Sequence, residues 1–139
     1  MSRRALTAAV FALAVVAAAC GADLDAGEPS PSSSFGVVTP DAARRAVLGL
    51  CELGSTTDAL TAEATFLDRS HATLHAIAAE AEARDRPSAS ALLEAKQRVE
   101  AALARDGLPP RFQRDVENLI DATRTALDAL GIGAPACPS

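Results

Sequence analysis

Residues 112–130, which read FQRDVENLIDATRTALDAL, carry the most regular apolar pattern in the chain. Each residue of the pattern lies three or four positions from another one, and the pattern comprises Phe112, Val116, Leu119, Ile120, Thr123, Leu127 and Leu130. This spacing places them on one side of an α-helix that begins at Pro109 or Pro110. Gly131 follows where a left-handed cap ends such a helix. The stretch therefore predicts an amphipathic helix with one face in a core.

Three further helices are predicted before it, over about 39–54, 56–84 and 88–105. Thr39 and Pro40 suit the cap and first turn of the first helix. Short connections between amphipathic helices favour antiparallel neighbours. We therefore expect an all-α fold, a small antiparallel bundle of about four helices spanning residues 40–139. A helical hairpin array and an obligate dimer are compatible with the same pattern.

The two middle helices have alanine-rich stripes at helical spacing. The second helix presents Leu60, Ala64, Leu67, His71, Leu74, Ala78 and Ala81. The third helix presents Leu92, Ala95, Val99, Ala102 and Leu103, with Glu94, Lys96, Arg98 and Glu100 mostly on its other side. Alanine permits close helix packing but buries little area, so this core needs further stabilisation.

The N-terminus has the layout of a secretory signal. Two arginines, Arg3 and Arg4, precede fifteen residues, from Ala5 to Ala19, of which only Thr7 is polar. A membrane-spanning helix needs roughly 20 apolar residues, so a permanent transmembrane anchor is the weaker interpretation. We therefore predict a signal peptide over residues 1–19.

The residues that end this segment, Ala17-Ala18-Ala19-Cys20, resemble the lipobox of bacterial lipoproteins. They depart from it at Ala17, where leucine is most usual. The resemblance implies that Cys20 is lipidated and becomes the first residue of the mature chain. Several acyl chains on Cys20 would anchor the protein firmly to the extracytoplasmic face of the cell membrane.

The segment from Cys20 to Thr39 is rich in serine, proline and glycine. Such a composition buries too little apolar surface to offset the entropy of ordering, which indicates a flexible tether. Coil statistics for about twenty residues place the bundle about 25 Å from the bilayer.

Charge and aromatic content argue against a nucleic-acid partner. The chain has 13 basic and 18 acidic residues, and loss of Arg3 and Arg4 with the signal leaves 11 against 18, a net charge of −7. Basic residues are needed to neutralise phosphates. The chain also lacks tryptophan and tyrosine, the usual platforms for base stacking.

Two cysteines, Cys51 and Cys137, remain once Cys20 is assigned to lipid. Thiols outside the cytoplasm tend to oxidise, so we predict a disulfide between them. For a closed loop of this length, the chain-entropy model gives an upper figure of about 4–5 kcal/mol of stabilisation. The competing interpretation makes one of them a catalytic nucleophile, which requires a nearby base.

The candidate metal ligands are Asp68, His71 and His75, which share one flank of the second helix with Glu82. Two imidazoles and a carboxylate suit Zn²⁺ or Cu²⁺. The zincin pattern fails because Ala72 stands where its glutamate would follow His71. We favour a structural or surface role for this group, and expect no cofactor.

No nucleophile elbow, glycine-rich phosphate loop or haem-attachment motif occurs in the sequence. We therefore expect a non-enzymatic, membrane-tethered helical lipoprotein that binds a protein or another envelope component of unknown specificity. The alternative is a metal-binding lipoprotein that uses Asp68, His71 and His75.

Overall fold

Four helices make up the part of the chain that the structure, a computed structural model, describes, which is residues 37–138. Helix α1 is Pro40–Ser55, α3 is Arg86–Leu103 and α4 is Phe112–Ala129. Helix α2 has three segments, the α-helical Ala59–Phe66, the π-helical turn Leu67–His71 and the α-helical Ala72–Glu82. The predicted all-α fold with four helices is confirmed. Cys20, the predicted signal peptide and most of the predicted tether lie outside the described residues.

Local sequence explains where the helices begin. The side chains of Thr39, Asp58 and Asp85 accept hydrogen bonds from backbone N–H groups in the first turns of α1, α2 and α3. Each such cap satisfies a donor that has no partner within the helix. Helix α4 begins at Phe112, slightly later than predicted, because Pro109 and Pro110 belong to the preceding turn.

The helices enclose one core, with α1 and α3 each packed against both α2 and α4. Helices α2 and α4 also touch across the centre, whereas α1 and α3 have no close contact within residues 37–138. All seven positions predicted for the apolar face of α4 are buried. No helix in this part of the chain has the length and apolar character needed to cross a membrane.

The buried face of α2 differs from the predicted one in its first half. Leu60 and Leu67 are 77% and 52% exposed, whereas Phe66 and Ser70 are buried. The buried positions Ala62, Phe66, Ser70 and Leu74 are four residues apart. In an α-helix each four-residue step overshoots a full turn by about 40°, and the wider π turn absorbs part of that drift. The prediction was wrong here because it assumed one uniform α-helical period.

The π turn lies directly against α1 at Gly49. A Cβ atom on Gly49 would lie 2.7 Å from both the Arg69 Cβ and the Ser70 Oγ. The buried Ser70 hydroxyl donates a hydrogen bond of 2.9 Å to the Ala46 carbonyl oxygen. Next to this crossing, Arg69 forms an ion pair with Glu52 of α1. Glycine at position 49 is therefore what allows α1 and α2 to approach so closely.

Both ends of the described chain are attached to the bundle. The Val38 N–H donates to the Glu80 carboxylate at 3.0 Å. Beyond α4 the chain turns at Gly131, which has a φ of 74°. The tail then forms a disulfide from Cys137 to Cys51 of α1, with the two Cα atoms 5.4 Å apart. The predicted disulfide is confirmed, and it links two positions 86 residues apart.

We predict that Gly49→Ala lowers the free energy of unfolding by about 1–3 kcal/mol, because the added methyl group overpacks the contact between α1 and the π turn. Gly54→Ala in the same helix is the matched control, since its Cβ would lie at an ordinary 3.5 Å from Val116. The gain in helix propensity should leave that variant as stable as the wild type or up to about 1 kcal/mol more stable. Urea unfolding followed by circular dichroism measures both. Equal stability of the two variants would contradict the close approach.

We expect the double variant Cys51→Ala/Cys137→Ala to lose about 2–4 kcal/mol of stability, because its unfolded state is no longer restricted by the closed loop. Thermal unfolding with and without reductant tests this expectation. Reductant should lower the wild-type melting temperature towards that of the variant and leave the variant unchanged. An unaltered wild-type transition after complete reduction would show that the disulfide does not stabilise the fold.

Candidate functional site

Two histidines of α2 meet a glutamate of α3 at the surface of the bundle. His71 Nε2 lies 3.0 Å from Glu100 Oε1. Each of the three residues His71, His75 and Glu100 offers one possible ligand atom, and these three atoms all lie within 4.8 Å of one another. All three residues are half-buried. Among residues 37–138 this is the only group of three or more histidine, cysteine, aspartate or glutamate side chains placed to share a metal ion.

The π turn and the core position the two imidazoles. His71 is the last residue of the π turn, and His75 lies one helical turn further along. The buried Phe66 ring meets the His71 ring edge-on, with centroids 5.6 Å apart. The rings of His71 and His75 are also nearly perpendicular, with centroids 4.9 Å apart. Core packing on one side and the neighbouring imidazole on the other thus restrict His71.

The only lysine in the chain, Lys96, holds the glutamate in place. The sequence predicts it on the polar face of α3, but the residue is only 3% exposed. Its Nζ donates a hydrogen bond of 2.6 Å to Glu100 Oε1, one turn further along the helix. A buried ammonium is tolerated when an opposite charge and a hydrogen bond accompany it. The prediction was wrong because periodicity does not show that Glu100 supplies this partner.

Burial alters the protonation of His75. Desolvation is the main reason that its pKa is lowered from the usual 6.5, and the nearby charges of Lys96 and His71 add to this effect. The Glu100 carboxylate acts in the opposite direction but is the weaker influence. The His75 imidazole is therefore predominantly neutral at pH 7, which is the form that binds metal ions.

The structure brings together part of the predicted metal-ligand set. His71 and His75 are adjacent, but Asp68 is exposed and is not among the three converging residues. Glu82 is also exposed, and its carboxylate lies 3.5 Å from the Arg86 guanidinium. Glu100 takes the place of a carboxylate from α2. Sequence spacing along one helix could not find it, because the contact with Glu100 depends on how α2 and α3 pack.

The disulfide bears on the alternative interpretation in which one cysteine is a catalytic nucleophile. Cys51 and Cys137 are joined as a disulfide, so neither sulfur is a nucleophile in this state of the protein. Cys20, the predicted lipidation site, lies outside the described residues.

Comparison of the chain with protein-family models, curated proteins and solved structures finds no match.

We expect Glu100→Gln to lower the free energy of unfolding by about 1–3 kcal/mol, because it leaves the buried Lys96 ammonium without its carboxylate. Lys96→Met keeps an apolar side chain of similar length and should be less harmful. The double variant should recover most of the loss caused by Glu100→Gln. Urea unfolding at pH 7 gives all three values.

The matched control is Glu94→Gln, an exposed position on the same helix. It should change stability by less than about 0.5 kcal/mol. If the double variant is no more stable than Glu100→Gln, the two side chains are not coupled as the geometry indicates.

Proposed function

We propose that this protein is a lipid-anchored, extracytoplasmic helical module that binds a protein or another component of the cell envelope and catalyses no reaction. The signal-like segment of residues 1–19 and the lipobox-like sequence ending at Cys20 support the anchor. An anchored domain on a tether of about twenty residues stays close to the membrane surface. Its partner is therefore proposed to be a component of the envelope.

The Cys51–Cys137 disulfide is the observation that carries the proposal. Cys137 is exposed and Cys51 is half-buried, so cytoplasmic reductants would have access to the bond. Disulfides persist in oxidising compartments and are rare in the cytoplasm. A domain that uses one to attach its C-terminal tail to α1 is therefore suited to the outer side of the membrane, the side to which a signal peptide would deliver it.

The three buried hydroxyl groups within residues 37–138 make structural hydrogen bonds, which supports a non-catalytic role. Ser70 donates to the Ala46 carbonyl oxygen, and Thr123 donates to that of Leu119 at 2.7 Å. The Ser88 hydroxyl likewise donates to the Asp85 carbonyl oxygen at 2.9 Å. A catalytic hydroxyl is activated by a neighbouring base, whereas these three hydroxyls donate to backbone carbonyl oxygens and so stabilise the local backbone.

The experiment is intact-mass analysis of the protein extracted from membranes of cells that express the full chain. We predict a mature protein that begins at Cys20 and carries a diacylglycerol group, with residues 1–19 removed. Cys20→Ser should remain an uncleaved precursor or be released from the membrane. Cys51→Ala/Cys137→Ala is the control, since it should keep the lipid and the membrane location. A water-soluble wild-type protein that begins at another residue would contradict the anchor.

The binding role is tested on the same samples by chemical crosslinking in intact cells. The proposal predicts a discrete adduct that contains another envelope component and is lost when Cys20→Ser removes the anchor. Crosslinking that is identical for the anchored and the released protein would contradict a role at the membrane surface.

A further inference from the structure

We propose that His71, His75 and Glu100 form a binding site for a divalent transition-metal ion, with Zn²⁺ and Cu²⁺ as the best-suited ions. All three residues belong to helices of the bundle, so the inference goes beyond the proposed function and does not depend on the lipid anchor. Two imidazole nitrogens come from α2 and one carboxylate oxygen comes from α3. A bound ion would therefore bridge two helices.

The distances suit a single ion. In a tetrahedral zinc site with bonds of about 2.1 Å, neighbouring ligand atoms lie about 3.4 Å apart. The His71 Nε2 and the Glu100 Oε1 are 3.0 Å apart, and all three ligand atoms lie within 4.8 Å of one another. The three ligand atoms therefore already lie near the separations that a single ion requires. Three protein ligands leave a fourth position for water or for a ligand from a partner.

The donor set determines which ions fit. Neutral imidazoles favour Zn²⁺, Cu²⁺ and Ni²⁺, whereas Ca²⁺ and Mg²⁺ prefer sites built from oxygen. The side chains of His71 and Glu100 are 34% and 35% exposed, so an ion reaches them directly from solvent. The site consequently discriminates against the hard cations through its two nitrogen ligands.

Lys96 acts on the ion through Glu100. Its hydrogen bond holds the carboxylate beside the imidazoles, as outer partners orient the ligands of other metal sites. Its positive charge also repels a bound cation, because the Nζ lies only 2.6 Å from the ligating oxygen. We therefore expect weaker binding than in structural zinc sites with four protein ligands. Lys96 is a positioning residue here and does not itself bind the ion.

The test uses the untagged full-length protein, purified in detergent and freed of metal with a chelator. Isothermal titration with ZnCl₂ and CuCl₂ should give one ion per chain, and MgCl₂ should give no binding. His71→Ala and His75→Ala should each weaken Zn²⁺ binding more than about tenfold. Asp68→Asn is the matched control, because its exposed carboxylate lies on the same helix outside the group, and it should bind as the wild type does.

Two further measurements separate loss of a ligand from loss of the fold. Circular dichroism checks that each variant is folded, and the His75→Gln variant provides a polar replacement if His75→Ala is unstable. Electron paramagnetic resonance of the Cu²⁺ complex should show two coordinated nitrogens in the wild type and one in either His75 variant. The proposal is overturned if no ion binds stoichiometrically, if binding survives both histidine substitutions, or if Asp68→Asn abolishes it.

Discussion

Where α1 crosses α2, the Arg69 and Ser70 side chains of the π turn lie against the α1 backbone, because position 49 is glycine and has no side chain of its own. The Ser70 hydroxyl completes this contact by donating to the Ala46 carbonyl oxygen. Buried positions four residues apart would drift around a regular α-helix, and the π turn keeps them on the side that faces the core. The same turn ends at His71, so it also sets the direction in which the two imidazoles leave α2. The core and the candidate metal site thus depend on one backbone feature.

The core consists largely of small side chains, which explains why the Cys51–Cys137 disulfide is useful for stability. Within residues 37–138 nine alanines are buried, among them Ala43, Ala81 and Ala126, whereas only two phenylalanines, Phe66 and Phe112, are buried. An alanine contributes little apolar area, so close helix contact has to replace bulk. The disulfide stabilises the bundle by restricting the unfolded chain, and this contribution does not require a larger core. A disulfide formed in an oxidising compartment would therefore compensate for the small apolar area that an alanine-rich core buries.

Much of the fold was predictable because regular α-helical periodicity holds over most of the chain. All seven positions that it assigned to the apolar face of α4 are buried, but it missed the buried Asp115 and Ala126. Counting cysteines identified the disulfide. Periodicity failed for Leu60 and Leu67, because a regular spacing of apolar residues does not signal a π turn. It also missed the pairing of Lys96 with Glu100 and the contact of Glu100 with His71. These contacts depend on the packing of α2 against α3, which a pattern along a single helix does not contain.

The π turn at residues 67–71 directs His71 towards Glu100 on α3. Nuclear magnetic resonance of the isotopically labelled protein tests it most directly, through hydrogen-bond couplings in α2 and nuclear Overhauser effects from the imidazole protons. We expect i→i+5 hydrogen bonds through the turn, together with Overhauser effects between the His71 ring and the Glu100 side chain. Uninterrupted i→i+4 hydrogen bonds through residues 67–71, with no Overhauser effect from His71 to α3, would contradict it.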